Sequence, residues 1–82
     1  DVLLAISTSG SSRNVVAAVK KAHELGCSVI AWTGRTPGPV GESAQVRISV
    51  PSSVVARVQE IHELALHALT DVIEDHFTHA AP

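Results

Sequence analysis

Eight polar side chains in this sequence stand at spacings that could do chemistry, and they fall into two groups. The first is Ser7-Thr8-Ser9-Gly10-Ser11-Ser12, in which every residue but the glycine carries a hydroxyl. It follows the apolar run Val2-Leu3-Leu4-Ala5-Ile6 and precedes a helical pattern opening at Arg13-Asn14-Val15-Val16. Strand, hydroxyl-rich turn and helix start therefore meet at one point. The free N–H groups of a helix start and the positive end of its dipole favour an anion there. Hydroxyls donate to phosphate oxygens, and Gly10 admits a close backbone approach. An N-cap accounts for one or two such hydroxyls, because Ser and Thr satisfy the first free amides of any helix. The excess beyond a cap favours an anion site. The turn lacks the Gly-Lys-Ser/Thr ending of a P-loop, and its one glycine is too few for a dinucleotide fingerprint.

The second group is Gln59, Glu63 and His67, spaced i, i+4, i+8 as one row along a helix. Their bland reading is a solvated strip in which Glu63 and His67 form an ordinary helix pair. The sharper one is a metal or acid–base site, since His and Gln bind metals and His moves protons near neutral pH. Eight helical residues rise about 12 Å, so Gln59 and His67 share an ion only by leaning together. Two ligands are also fewer than the usual three of a catalytic zinc, so the others must come from outside this sequence. His62 is offset from the row and reads as a packed or half-exposed histidine. His23 lies near a helix end, where positive charge is favoured. His76 and His79 lie close to the end of the sequence and receive no role.

The elements that must hold these groups follow from composition and periodicity. The chain has 82 residues, 45% hydrophobic and 17% charged, with a net charge of −2. This describes one small folded domain, or part of one, with no general attraction to nucleic acid or anionic membrane. No apolar run is long enough to span a bilayer, and the first residues lack the basic region of a signal peptide. The single Cys27 excludes an internal disulfide and suits a reducing, cytoplasmic compartment. Residues 2–6 read as a strand buried on both faces, which needs neighbours on either side. The expectation is that residues 1–82 are the C-terminal portion of a single domain whose N-terminal portion is absent.

Residues 12–25 read as a helix with an apolar stripe at Val15, Val16, Val19 and Ala22, stopped by Gly26. Residues 27–33 form a second apolar strand, so the pair is parallel with a right-handed crossover. Residues 34–41 are a loop by composition, at the strand end where open sheets bind ligands. A short helical turn around Glu42-Ser43-Ala44 is allowed, and residues 45–50 alternate as an edge strand does. Ser52 or Ser53 caps a long helix from Val54 to about Phe77, whose apolar face is wide enough for the sheet and for a partner subunit. Residues 78–82 read as a frayed tail.

With these residues in view, the chain resembles the C-terminal half of a SIS (sugar isomerase) domain, and within that group the bacterial phosphoheptose isomerases. The resemblance rests on Leu3-Leu4-Ala5-Ile6-Ser7-Thr8-Ser9-Gly10-Ser11-Ser12 and on Leu25-Gly26-Cys27-Ser28-Val29-Ile30-Ala31-Trp32-Thr33-Gly34. It rests also on Val50-Pro51-Ser52 leading to Ala56-Arg57-Val58-Gln59-Glu60-Ile61-His62 and His67. The hydroxyl turn alone indicates only the broad group; the Arg-Val-Gln-Glu segment with its downstream His is more specific. The resemblance implies a flavodoxin-like, three-layer α/β/α sandwich with a mostly parallel sheet, assembled as a homotetramer with sites between subunits. It implies isomerisation of sedoheptulose 7-phosphate to D-glycero-D-manno-heptose 7-phosphate. Ser7, Thr8, Ser9 and Ser12 match the family's phosphate cradle. Gln59 and His67 match its residues on the last helix, which also bind zinc, and His67 matches the partner of a glutamate from the N-terminal half. Where relatives commonly carry Asp-Thr before Ala-Arg this chain has Val54-Val55, and Ser11 stands where Asn is frequent.

Elementary chemistry agrees with that role. Ketose–aldose isomerisation moves a proton between adjacent carbons through an enediol-type intermediate, and so needs a base and an acid. A phosphate anchor fixes the far end and makes orientation cheap. The alternative is a non-catalytic SIS module that binds a replication-initiator protein or senses a sugar phosphate. Relatives of the initiator-binding kind lack the histidine at the position of His67, so its presence favours an enzyme.

Overall fold

The computed structural model describes residues 1–80. Its elements are β1 (Val2–Ser7), α1 (Arg13–Glu24), β2 (Ser28–Thr33), α2 (Gly38–Glu42), β3 (Val46–Ser49) and α3 (Val55–Ala80). The strands form one parallel sheet in the order β1-β2-β3. Ala5 stands beside Ala31 and Ser7 beside Thr33, while Trp32 stands beside Ile48. Parallel neighbours need a crossover, and α1 supplies the one between β1 and β2.

Alternation along the strands sorts side chains between two faces. Ala5, Val29 and Ala31 point to one face and form a buried core with Val19 and Ala22 of α1 and Val40 of α2. Trp32 points to the other face and meets His62 of α3, with ring centroids 6.3 Å apart. Helices thus lie on both sides of the sheet, which is the expected α/β/α layering. The contact with α3 is narrow: Val58 and His62, one turn apart, are its buried residues among those described. No helix of the described residues is long and apolar enough to cross a membrane.

Three local expectations change. β1 is an edge of the described sheet, with Val2 63% and Ile6 38% exposed. Its second face is open because α3 meets the sheet at Trp32 and Thr33, at the end of β2. Part of the expected 34–41 loop is helical, since α2 starts at Gly38, with Pro39 in its first turn where a missing N–H costs nothing. The last helix runs on through residues 78–80 instead of fraying after Phe77; residues 81 and 82 of the expected tail lie outside the described residues.

Gly10 and Gly26 both have left-handed backbones, at φ 71° and 76°, for different reasons. Gly26 ends α1, and a Cβ there would meet nothing within 4 Å. A Cβ on Gly10 would lie 2.2 Å from the carbonyl oxygen of Pro37. The group approaching Gly10 is therefore the segment leading into α2, whose Val40 N–H donates to the Gly10 carbonyl at 3.0 Å. Gly26→Ala is expected to cost about 1–2 kcal/mol, the left-handed strain alone. Gly10→Ala is expected to cost more, because the clash is with backbone that cannot swing away. Urea denaturation of both variants tests the order, and equal losses would show that this loop is not held against the turn.

Candidate active-site cleft

The turn after β1 spends some of its hydroxyls on itself. Ser7 Oγ, nearly buried, accepts the Gly10 N–H at 3.1 Å. Ser9 Oγ accepts the Ser11 N–H at 3.2 Å and the Ser11 hydroxyl at 3.3 Å. Thr8 and Ser12 form no side-chain hydrogen bond among the described residues. Ser12 occupies the N-cap position of α1, yet its side chain makes no capping bond; its carbonyl accepts the Val16 N–H at 2.8 Å. The hydroxyl placed to cap the helix is thus free for something else. The first amides of α1 open on the same spot.

Opposite the turn stands the start of α3. Ser7, Thr8, Ser9 and Ser12 line one cleft of about 410 Å³ together with Gln59 and His62. Gln59 is exposed, with its amide uncommitted among the described residues. His62 is 5% exposed, and its Nε2 lies 2.9 Å from the Thr33 carbonyl oxygen. A carbonyl only accepts, so Nε2–H donates, and in the neutral ring Nδ1 is then an acceptor. That Nδ1 is buried and has no partner among the described residues. Stranding a polar atom in this way costs about 1–3 kcal/mol. The cleft therefore offers hydroxyl and amide donors beside a helix start, a set suited to a phosphate at one end and a polar carbon chain at the other.

The structure brings Ser7, Thr8, Ser9, Ser12 and Gln59 together, and it leaves His67 apart. His67 is exposed on α3, about 12 Å of helix rise beyond Gln59. At about 100° per residue it lies about 140° round the helix from the buried His62, so it faces away from the sheet. Gln59 and His67 do not make a metal site by themselves, and no group of three His, Cys, Asp or Glu residues able to hold a metal exists among the described residues. Zinc does not fit the donors of this chain alone.

His62 is the packed histidine that the sequence indicates, and its place in the lining of the cleft has no signal in the sequence. Arg35 borders a second hollow of about 290 Å³ on the other flank of Thr8 and Ser9, with Thr36, Ser52 and Ser53. Its place directly after β2, at the ligand-binding end of a parallel strand, was the signal that could have found it.

Comparison with known proteins bears on the same segments. Residues 1–34 match the SIS domain family. The chain is 52% identical over 79 residues to the phosphoheptose isomerase of Alkalilimnicola ehrlichii, covering 93% of this chain and 40% of that protein. It is 52% identical over 77 residues to that of Methylibium petroleiphilum, covering 90% and 38%. The solved structure of a phosphoheptose isomerase from Francisella tularensis superposes with a TM-score of 0.84 at 41% identity, over 92% of this chain and 42% of that one. The one from Neisseria gonorrhoeae gives 0.83 at 49% identity, over 89% and 42%. The chain thus spans about 40% of the length of the curated relatives it matches, and over that span its fold is theirs.

The two kinds of serine in the turn separate by mutation. Ser7→Ala strands the Gly10 N–H and is expected to cost about 1–3 kcal/mol. Ser12→Ala is expected to stay within about 0.5 kcal/mol of wild type, below the usual loss of a working cap. Denaturation midpoints decide, and a loss of a full cap's size at Ser12 would show its hydroxyl to be structural.

Proposed function

We propose that residues 1–82 are the C-terminal portion of a single SIS domain, in a polypeptide that isomerises sedoheptulose 7-phosphate to D-glycero-D-manno-heptose 7-phosphate. The observation that carries this reading is the cleft. It sets the uncommitted hydroxyls of Thr8 and Ser12 beside a helix start and opposite the free amide of Gln59. The similarity to phosphoheptose isomerases over nine-tenths of the chain supports the choice of reaction.

In this reading the phosphate seats in the turn. Thr8 and Ser12 donate to its oxygens, Ser7 and Ser9 hold the turn in shape, and the amides and dipole of α1 favour its charge. Anchoring the phosphate end removes most of the orientational cost of placing the reacting carbons. Gln59 binds the polar sugar chain. His67 carries the proton between adjacent carbons, paired with a glutamate from sequence that precedes this chain. Because His67 faces away from its own cleft, it serves a site completed by another subunit of a homotetramer. Apolar side chains of α3 beyond its contact with the sheet support such packing, with Leu66 40%, Ile73 47% and Phe77 71% exposed along one side of the helix. Zinc, which the resemblance implies at Gln59 and His67, would stabilise developing negative charge on oxygen. It needs further donors from outside this chain, and no step here runs through it. A free Cys27 fits a cytoplasmic enzyme.

Turnover of sedoheptulose 7-phosphate by the full-length polypeptide tests the assignment. His67→Ala is expected to lower kcat by about 10²–10⁴-fold, the usual worth of a general acid–base. Ser12→Ala is expected to act mainly on KM. An unchanged rate in His67→Ala would remove that residue from the chemistry. Capture of a replication-initiator protein without turnover of any phosphosugar would replace the enzyme by a binding module. The assembly is tested separately: the double variant Ile73→Glu, Phe77→Glu is expected to lower the mass seen by sedimentation equilibrium, and an unchanged tetramer would exclude this face of α3.

A further inference from the structure

We infer that His62 is the positioning residue that aims Gln59 across the cleft at the hydroxyl turn, through the bond from its Nε2–H to the Thr33 carbonyl. The inference rests on the reading above, in which Gln59 touches the sugar phosphate.

The attachment of α3 is the starting point. Over the described part of this 26-residue helix, the buried side chains are Val58 and His62. Val58 lies against Gly34, where a Cβ would be 3.5 Å from its Cγ2. Val58 fixes how closely the helix approaches, since apolar contact has no direction. The His62 bond does have a direction: its 2.9 Å contact with a fully buried carbonyl fixes the rotation of the helix about its own axis. Gln59 is three residues before His62 and next to Val58, so it shares this stretch of helix and turns with it. It has no bond of its own among the described residues to hold it.

The cost of the arrangement supports a role beyond packing. A leucine here would fill the space against Trp32 without stranding an acceptor, and the Thr33 carbonyl would keep its bond from the Val50 N–H. The histidine keeps a buried Nδ1 with no partner among the described residues. What it gains is the bond to Thr33. That carbonyl also accepts the Val50 N–H at 3.0 Å, so the same oxygen that closes β3 onto β2 sets the angle of α3.

The test uses the full-length polypeptide and two probes, sedoheptulose 7-phosphate and inorganic phosphate, by calorimetric titration. The variants are Gln59→Ala, His62→Leu, His62→Gln and the double variant Gln59→Ala, His62→Leu. Glutamine can place an N–H donor near the position of Nε2, so His62→Gln is expected to bind sugar phosphate within about twofold of wild type. Loss of one neutral hydrogen bond is worth about three- to tenfold in affinity. Gln59→Ala and His62→Leu are each expected to lose about that much for the sugar phosphate, with inorganic phosphate unaffected. The double variant should lose no more than Gln59→Ala alone, since residues acting as one unit are not additive. Additive losses, or full affinity in His62→Leu, would overturn the inference and leave the proposed function standing. No binding of sugar phosphate by the wild-type protein would overturn both. Should circular dichroism show His62→Leu unfolded, His62→Gln decides: wild-type affinity supports the inference, and a loss equal to that of Gln59→Ala overturns it.

Discussion

The carbonyl of Thr33 is the joint on which the functional end of this molecule hangs. It closes β2, is fully buried, and accepts two hydrogen bonds, from Val50 N–H at 3.0 Å and from His62 Nε2 at 2.9 Å. The Thr33 hydroxyl adds bonds to the Gly34 carbonyl and to Ser49, both at 3.2 Å. One residue thereby joins the ends of two strands to the second turn of α3. A buried carbonyl left without partners would be costly; here both lone pairs have donors. Ser7 stands beside Thr33 in the sheet, so the hydroxyl turn leaves β1 level with this joint, and turn and helix face each other across it.

A second constraint makes the turn stiff. Gly10 meets the backbone of Thr36 and Pro37, and Gly38 meets Gly10 in return, each at distances that leave no room for a Cβ. Gly34 is held equally close to the Thr8 carbonyl, at 2.6 Å from where its Cβ would be. Three glycines therefore serve backbone against backbone, and the role of Gly10 is to admit a loop, whereas the sequence suggested a ligand. Ser7, Ser9 and Ser11 tie the same turn from inside. A turn fixed in this way presents Thr8 and Ser12 without first having to order itself, which is the condition for cheap binding.

What could be read from sequence follows from which signals are local. The strand–turn–helix order, the parallel crossover and the stop at Gly26 each depend on neighbours in sequence, and each is where periodicity and turn chemistry put it. Ser12 was recognisable as standing at the helix start, but whether its hydroxyl caps or stays free depends on its rotamer, which no spacing encodes. The start of α2 was hidden because Gly38 and Pro39 count against a helix, while Pro39 is harmless in a first turn and Val40 finds its acceptor in distant Gly10. His62 is packed, as its offset from the row of Gln59, Glu63 and His67 indicates, but its acceptor at Thr33, 29 residues away in sequence, left no local signal.

That same offset separates the two ends of α3. A helix bonded to the sheet through His62 has used the side that faces Trp32. Gln59, about 60° from His62 round the axis, stays at the rim of the contact and reaches the cleft. His67, about 140° round and on a later turn, cannot. The half-buried Leu4–Ile30 side of the sheet and the exposed apolar side chains of α3 are both surfaces that a single layer of chain does not fully cover. Docking α3 by its first two turns thus divides the helix: the near end completes this chain's own cleft, and the far end carries the His67 imidazole out of reach of it.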